Sequence, residues 1–271
     1  MGEVGGPGRE QERTVAVLRA AGCVFAEEEA AALHAHEADG AARAALVRRR
    51  AAGEPLEHLL GWAELDGERV LVDAGVFVPR QRSRLLVRAA VAELRHAGHP
   101  RNAPVVVDLC CGSGALGALV QRRVPHAEVH AADLDPAAVA CARRNLTPTR
   151  VHEGDLLAAL PGGLRGRVRV LVVNAPYVPT TAIATMPPEA RDHEPRLALD
   201  GGADGIAVQR RLAGDVAAWL APDGVLLLET GRHQRAATTA LLQAAGLAVD
   251  QLEDPEVDGF AVRAHAAPGR P

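Results

Sequence analysis

The sequence predicts an α/β fold built on a mainly parallel, seven-stranded sheet, preceded by a small helical unit and a β-hairpin. Three observations predict it. After Pro104, short apolar runs alternate with helical segments, the pattern of βαβ units. Before that point, residues 10–52 carry helix-spaced apolar positions and no strand pattern. Between the two regions, "WAELDGERVLVD" alternates apolar and polar residues about Asp66-Gly67, a hairpin signal.

In the first region Val15, Leu18, Val24, Phe25, Leu33 and Leu46 sit among Ala, Glu and Arg, with Gly22 and Gly40 as breaks. This predicts about three helices. "GEPLEHLLG" (53–61) follows as a linker, then the hairpin, then a helix with Leu85, Leu86 and Val91 on one side, running to about Arg95. "HAGHPRNAP" (96–104) reads as a second linker. Strands are expected at 105–109, 128–132, 150–152, 168–173, 225–229, 248–252 and 260–264. Helices are expected at 115–123, 136–145 (with Pro136 in its first turn), 205–220 and 233–245. The expected division is a helical unit over 1–60, a hairpin and linker over 61–80, and the α/β domain over 81–271.

Composition narrows the function classes. The 271 residues carry a formal net charge of −4, which argues against a chain whose main task is gripping phosphate backbones. Every cationic side chain apart from histidine is Arg, and the densest run, Arg48-Arg49-Arg50, reads as a solvated helix face. Cys23, Cys110, Cys111 and Cys141 have no CxxC spacing and read as reduced thiols, with no metal site. His34 and His36 are two apart, which points them to different faces of a helix. "MGEVGGPGRE" (1–10) is Gly-rich, is expected to be frayed, and carries no secretory signal. No apolar run approaches the roughly 18 residues of a membrane span. The protein is expected to be a cytoplasmic monomer. Aromatics make up only 2%, so the core must be Ala, Val and Leu, and Trp62 and Trp219 read as core or interface rings.

"VVVDLCCGSGALG" places a strand directly before a Gly-rich turn that opens a helix. Gly112 and Gly114 let the backbone approach a ligand. With Gly117 they match GxGxxG, and Asp133 ends the next strand at the distance where a ribose diol is held. A dinucleotide and S-adenosylmethionine both fit this far. Asp108 would orient an ammonium group, and Asp155, after the third strand, would meet an adenine amino group. Acids at three successive strand ends suit a cationic ligand better than a pyrophosphate.

"NAPY", Asn174 to Tyr177, ends the strand 168–173 beside that ligand. An amide nitrogen is a weak nucleophile because its lone pair is delocalised. Methylating it requires that both N–H bonds be fixed and the nitrogen aimed. The Asn174 side-chain oxygen and the Ala175 carbonyl would accept the two N–H groups, and Tyr177 would stack on the planar group. This is positioning, with no general base.

On these motifs the chain resembles the class I S-adenosylmethionine-dependent methyltransferases, and more narrowly the release factor glutamine methyltransferases. The resemblance runs from about Leu18 to Val262 through "GEPLEHLLG", "VFVPRQR", "DLCCGSGA", "HAADLDP", "NAPYVP", "EPRLALDGGADG" and "LLLETGRHQ". It implies a Rossmann-like methyltransferase domain and an N-terminal helical domain that meets the substrate protein. It also implies S-adenosylmethionine as cofactor and the GGQ glutamine of a peptide chain release factor as acceptor. By motif, Cys110, Cys111, Gly112, Ser113, Gly114, Asp133, Asp155, Leu156 and Asn174 would line the cofactor. Asn174, Ala175, Pro176 and Tyr177 would hold the glutamine amide, with Pro79 and Arg80 near the entrance. Glu229 and Gln234 match the family but read as distant from the chemistry.

Three features depart from the pattern. Ala175 replaces the first Pro of NPPY, which leaves the carbonyl and removes some pre-organisation. Cys110 replaces a glycine, without strain at negative φ and with strain at positive φ. Arg82-Ser83-Arg84 replaces an acidic stretch, and the charge reversal beside the entrance is expected to bear on the substrate. Other readings therefore stay open: methylation of a small-molecule amine or amide, adenine methylation in nucleic acid, and a nicotinamide-dependent oxidoreductase on the Gly turn alone.

Overall fold

The computed structural model describes residues 7–96 and 103–266. The chain opens with α1 (Pro7–Ala20), α2 (Ala26–His36), α3 (Gly40–Ala51) and the short α4 (Leu56–Leu60). Leu18, Leu33, Val47 and Leu60 make its small core, with Trp62 packed alongside. Gly40, expected as a break, is the first residue of α3, because Asp39 caps that helix by accepting the Ala41 N–H (3.2 Å). The 53–61 linker is corrected in the same way, since Leu56–Leu60 close a helical turn that Gly61 ends at φ 74°. The antiparallel hairpin is β1 (Trp62–Leu65) and β2 (Glu68–Leu71), turning at Asp66-Gly67, both at positive φ.

After α5 (Arg84–His96) come β3 (Val105–Leu109), α6 (Ala115–Arg123), β4 (Glu128–Asp133), α7 (Pro136–Asn145), β5 (Val151–Glu153) and β6 (Val168–Val173). Then follow α8 (Pro188–His193), α9 (Arg196–Leu199), α10 (Ala207–Asp215), β7 (Leu220–Glu229), α11 (Arg235–Ala244), β8 (Leu247–Asp254) and β9 (Gly259–Ala266). The seven-stranded sheet runs β5-β4-β3-β6-β7-β9-β8, parallel except where β9 pairs with β7 and β8.

The central strands are apolar throughout because both faces are covered. Val106, Val170, Val172 and Leu227 pack toward α5, α6 and α7, while Val107, Leu109, Leu171, Leu226 and Leu228 pack toward α10 and α11. Trp219 joins the second layer. Each buried Leu or Val contributes about 1.5–3 kcal/mol over its exposed state, so an aromatic-poor chain reaches a stable core by number of residues.

Further parts of the sequence reading needed changing. The helix expected over 205–220 stops at Asp215, and α8 and α9, in the segment after Tyr177, were not foreseen. Most of the 96–104 linker and of the N-terminal 1–10 stretch lies outside the described residues, although α1 already begins at Pro7. The Arg48–Arg50 run is not a uniform solvated face. Arg49 pairs with Glu54, and Arg50, buried, reaches both carboxylate oxygens of Glu29 (2.6 and 3.0 Å) and Glu189 of α8 (3.3 Å).

Arg50 therefore ties the helical unit to the segment that flanks the cleft. Removing one partner of a buried ion pair strands the other charge. The expected outcome for Arg50→Ala is a loss of about 3 kcal/mol, read from urea denaturation.

Candidate active site

The Gly-rich turn stands at the carboxyl end of β3. Gly112 and Gly114 adopt φ of 54° and 74°, and Cys110 adopts 55°. Of the two possibilities for Cys110, the strained one holds: a side chain in the left-handed region costs on the order of 1–3 kcal/mol. The turn is braced from three sides. Asp133 Oδ2 accepts the Gly112 N–H (2.8 Å). Asn145 Nδ2 donates to Ser113 O (2.9 Å) and to Leu71 O (2.8 Å), so the hairpin is tied to the turn. A Cβ at Gly114 would lie 3.0 Å from Leu146 Cδ1 and 3.1 Å from Ala142 Cβ, so that glycine seats the turn on α7.

Asp108 is completely buried behind the turn, where Oδ2 accepts the Gly117 N–H (2.8 Å) and Oδ1 has no partner among the described residues. Burial pushes its pKa up to about 8, against the pull of the Gly117 hydrogen bond. Neither Asp108 nor Gly114 lines the cleft; both shape the turn from behind.

The cleft has a volume of about 200 Å³, and on it converge Cys110, Cys111, Gly112, Ser113, Asp133, Asp155, Leu156, Asn174, Ala175, Pro176, Tyr177, Pro79 and Arg80. Its charged groups are largely self-neutralised: Arg211 pairs with Asp155, Arg80 with Glu194, and Arg82 with Glu229. Asp133 and Asp135 are carboxylates on the wall with no cation bound among the described residues, and burial raises the pKa of Asp133. A cleft whose unpaired charge is negative fits a cationic nucleoside better than a pyrophosphate. At Gly112 a Cβ would meet only Phe77 Cβ (3.9 Å), so the turn is open to a ligand on that side. Ser113 Oγ and Glu194 Oε2, both buried, also lack partners among the described residues. These features fit the adenosyl and amino acid parts of S-adenosylmethionine. Glu194 entered the sequence reading only as the first residue of "EPRLALDGGADG" and was given no role there; nothing in an "EP" pair far from the Gly turn signals one.

The other wall is the end of β6. Asn174 Nδ2 donates to Ser83 Oγ (3.2 Å), and none of the described residues donates to Oδ1. Ser83 Oγ donates to Glu229 Oε2 (2.6 Å), and the Tyr177 hydroxyl donates to Glu229 Oε1 (3.3 Å). Burial pushes the Tyr177 phenol well above its usual pKa, so it is a neutral donor. Gln234 Nε2 donates to Tyr177 O (2.8 Å). The reading of Glu229 and Gln234 as distant is thereby corrected: β7 neighbours β6, and both side chains hold Tyr177. The glycines of "DGGADG" pack there too, since a Cβ at Gly201 would stand 2.7 Å from Tyr177 Cα. The expectation for Arg84 is also corrected, because it turns to Asp254 (2.7 and 3.0 Å), away from the cleft. Arg82 remains at the cleft, its guanidinium 5.8 Å from the Tyr177 ring centroid.

Residues 69–186 match the methyltransferase small domain family. A release factor glutamine methyltransferase from Deinococcus radiodurans is 40% identical over 82% of this chain and 78% of its own length. The chain belongs to the release factor glutamine methyltransferase family. A 4-amino-L-phenylalanine/4-methylamino-L-phenylalanine methyltransferase from Streptomyces pristinaespiralis is 41% identical over 74% of this chain and 69% of its own. The N-terminal domain of human METTL16 in complex with SAH shares the fold, with a TM-score of 0.53 at 13% identity over 73% of this chain and 76% of that one. The fold is the class I methyltransferase fold, and S-adenosylmethionine is the methyl donor. Among the described residues no helix is long and apolar enough to cross a membrane, and no cluster of His, Cys, Asp and Glu is arranged to hold a metal ion.

Asp108 yields a pH prediction. Its folded pKa is raised far above the unfolded carboxylate value, so the native state holds a proton that the unfolded chain releases. Its contribution is fully present below about pH 4 and is lost as pH rises toward about 8. Urea denaturation of the ligand-free protein at pH 5 and pH 8 is expected to give a smaller stability loss for Asp108→Asn than for the parent.

Proposed function

We propose that this chain methylates the side-chain amide nitrogen of a glutamine in a protein, the GGQ glutamine of a peptide chain release factor. The observation that carries the reading is the Asn174 Oδ1 at the end of β6, to which none of the described residues donates, beside the cleft that fits the methyl donor. A planar amide entering there offers two N–H groups. Asn174 Oδ1 takes one and the carbonyl of Ala175 the other, and the Tyr177 ring covers the plane. Bound S-adenosylmethionine supplies an electrophilic methyl group on sulfur. The residues of this chain fix the nitrogen and keep water away, and no proton acceptor of tuned pKa is required before transfer.

In this reading Asp133 holds the ribose, Leu156 and Asp155 border the base, and the turn from Cys110 to Ser113 holds the amino acid end. Pro79 and Arg80 flank the entrance. The helical unit over 7–60 meets the release factor, and its exposed Val24 (84%) and Phe25 (64%) are suited to such a contact. The protein acts as a monomer in the cytoplasm and needs no nucleic acid of its own.

A second reading is favoured by two observations. One relative at 41% identity is named for methylation of 4-amino-L-phenylalanine, and Arg82 sets a half-exposed cation beside Tyr177. An arylamine is also planar and delocalised, and a free amino acid carries a carboxylate that such a cation would attract.

The test gives the protein labelled S-adenosylmethionine with release factor in one reaction and 4-amino-L-phenylalanine in another. The expected result is one methyl group on the GGQ glutamine, located by tandem mass spectrometry. Asn174→Ala is expected to lower that rate by roughly 100-fold or more, since it removes an acceptor aimed at the reacting group. Label on the amino acid and none on release factor would transfer the assignment to the second reading.

A further inference from the structure

We infer that Glu229 and Ser83 form a positioning relay that fixes which end of the Asn174 amide faces the acceptor. The inference rests on the proposed role of Asn174 and extends it to residues one and two hydrogen bonds away.

The direction of each bond follows from chemistry. Burial raises the Glu229 pKa, and the Arg82 cation and the Ser83 and Tyr177 hydroxyls oppose that rise; as a carboxylate Glu229 accepts and cannot donate, so at 2.6 Å from its Oε2 the Ser83 hydroxyl proton points to Glu229. Ser83 Oγ then offers only lone pairs to its other neighbours. The Asn174 atom 3.2 Å away must therefore be the NH₂ nitrogen, and the flipped amide would set two acceptors against each other. With Nδ2 held, Oδ1 is committed to the opposite side, where none of the described residues donates to it. The same carboxylate takes the Tyr177 hydroxyl on Oε1, so one group orients both sides of the acceptor pocket.

The relay is built into the fold. Glu229 is 2% exposed at the end of β7, and Ser83 is 1% exposed just before α5. Burial leaves neither side chain room to seek another partner, and Arg82 Nε, 3.4 Å from Oε1, supplies the countercharge. The reversal of charge at position 82 thus has a consequence inside the site: its cation faces the relay's carboxylate. Ser83 and Glu229 act through Asn174 and Tyr177 and touch no reacting atom, so they are positioning residues.

Three variants separate the relay from a merely structural role. Ser83→Ala removes the link, Ser83→Thr restores a hydroxyl at the same place, and Glu229→Gln places an NH₂ donor where only acceptors stood. The expected result is a kcat about 10- to 100-fold lower for Ser83→Ala and Glu229→Gln. KM and the dissociation constant for S-adenosylmethionine are expected to stay within about 3-fold, and Ser83→Thr to restore kcat. A second readout needs no acceptor: the ¹⁵N–¹H side-chain amide signals of Asn174 in the full chain, assigned with Asn174→Ala. They are expected to shift in Ser83→Ala and to return in Ser83→Thr. Asn174 signals identical in the parent and Ser83→Ala overturn the relay, as does parental kcat in both Ser83→Ala and Glu229→Gln. If release factor is not methylated by the parent, the acceptor assignment fails, while the amide signals still decide the relay.

Discussion

The pairing of β3 with β6 is the constraint on which the rest depends. Leu109 stands opposite Val173 in a parallel register, so the two strands end together. The Gly-rich turn leaves one end and Asn174 leaves the other, in adjacent positions of the same sheet. From β3 the chain moves outward to β4 and β5, and from β6 it moves the opposite way to β7, which opens the cleft between them. The Gly-rich turn and Asn174 are thereby brought together by backbone hydrogen bonding before any side chain acts. A slip of one residue in that register would turn every inward side chain of β6 to the other face.

Charge is handled by local pairing. With Arg the only strong cation available, the carboxylates around the cleft are matched singly: Asp155 by Arg211, Glu194 by Arg80, Glu229 by Arg82. Isolated pairs of this kind contribute little at an exposed surface. Their effect here is to decide what is left over. Asp133 stays free to meet a ligand, and its Oδ2 already shapes the turn through Gly112. Asp108 is the contrasting case, the same residue type one strand earlier, buried behind the turn and held to Gly117.

Much of this was legible in the sequence. The sheet could be read strand by strand because its periodicity changes sharply after Pro104, and the hairpin because Asp66-Gly67 permits only a tight reversal. Glycines before a helix, an acid after the next strand and "NAPY" after the fourth located the cleft. What stayed hidden depends on contacts between distant segments. The place of Asp108 behind the turn depends on its single-residue offset from the strand end. The helices after Tyr177 are too short to leave a periodic trace. Glu229 seemed remote because sequence separation from Asn174 is large, yet β7 lies next to β6 and brings it to Tyr177.

The ends of β6 and β7 also explain why a strand should finish in an amide and an aromatic ring. An acceptor nitrogen whose lone pair is delocalised gains nothing from a strong base until its bond to carbon begins to form. What it lacks is orientation, and under the proposed role of Asn174 orientation is lost if that amide can rotate by half a turn. A hydroxyl free to turn would leave that rotation open, because it can donate to the Asn oxygen or accept from the Asn nitrogen. A hydroxyl whose proton is already taken by a buried carboxylate leaves one answer. The Glu229–Ser83–Asn174 chain thus converts a negative charge at the end of β7 into the direction of a neutral oxygen at the end of β6. The tyrosine hydroxyl on the same carboxylate fixes the ring by the same means.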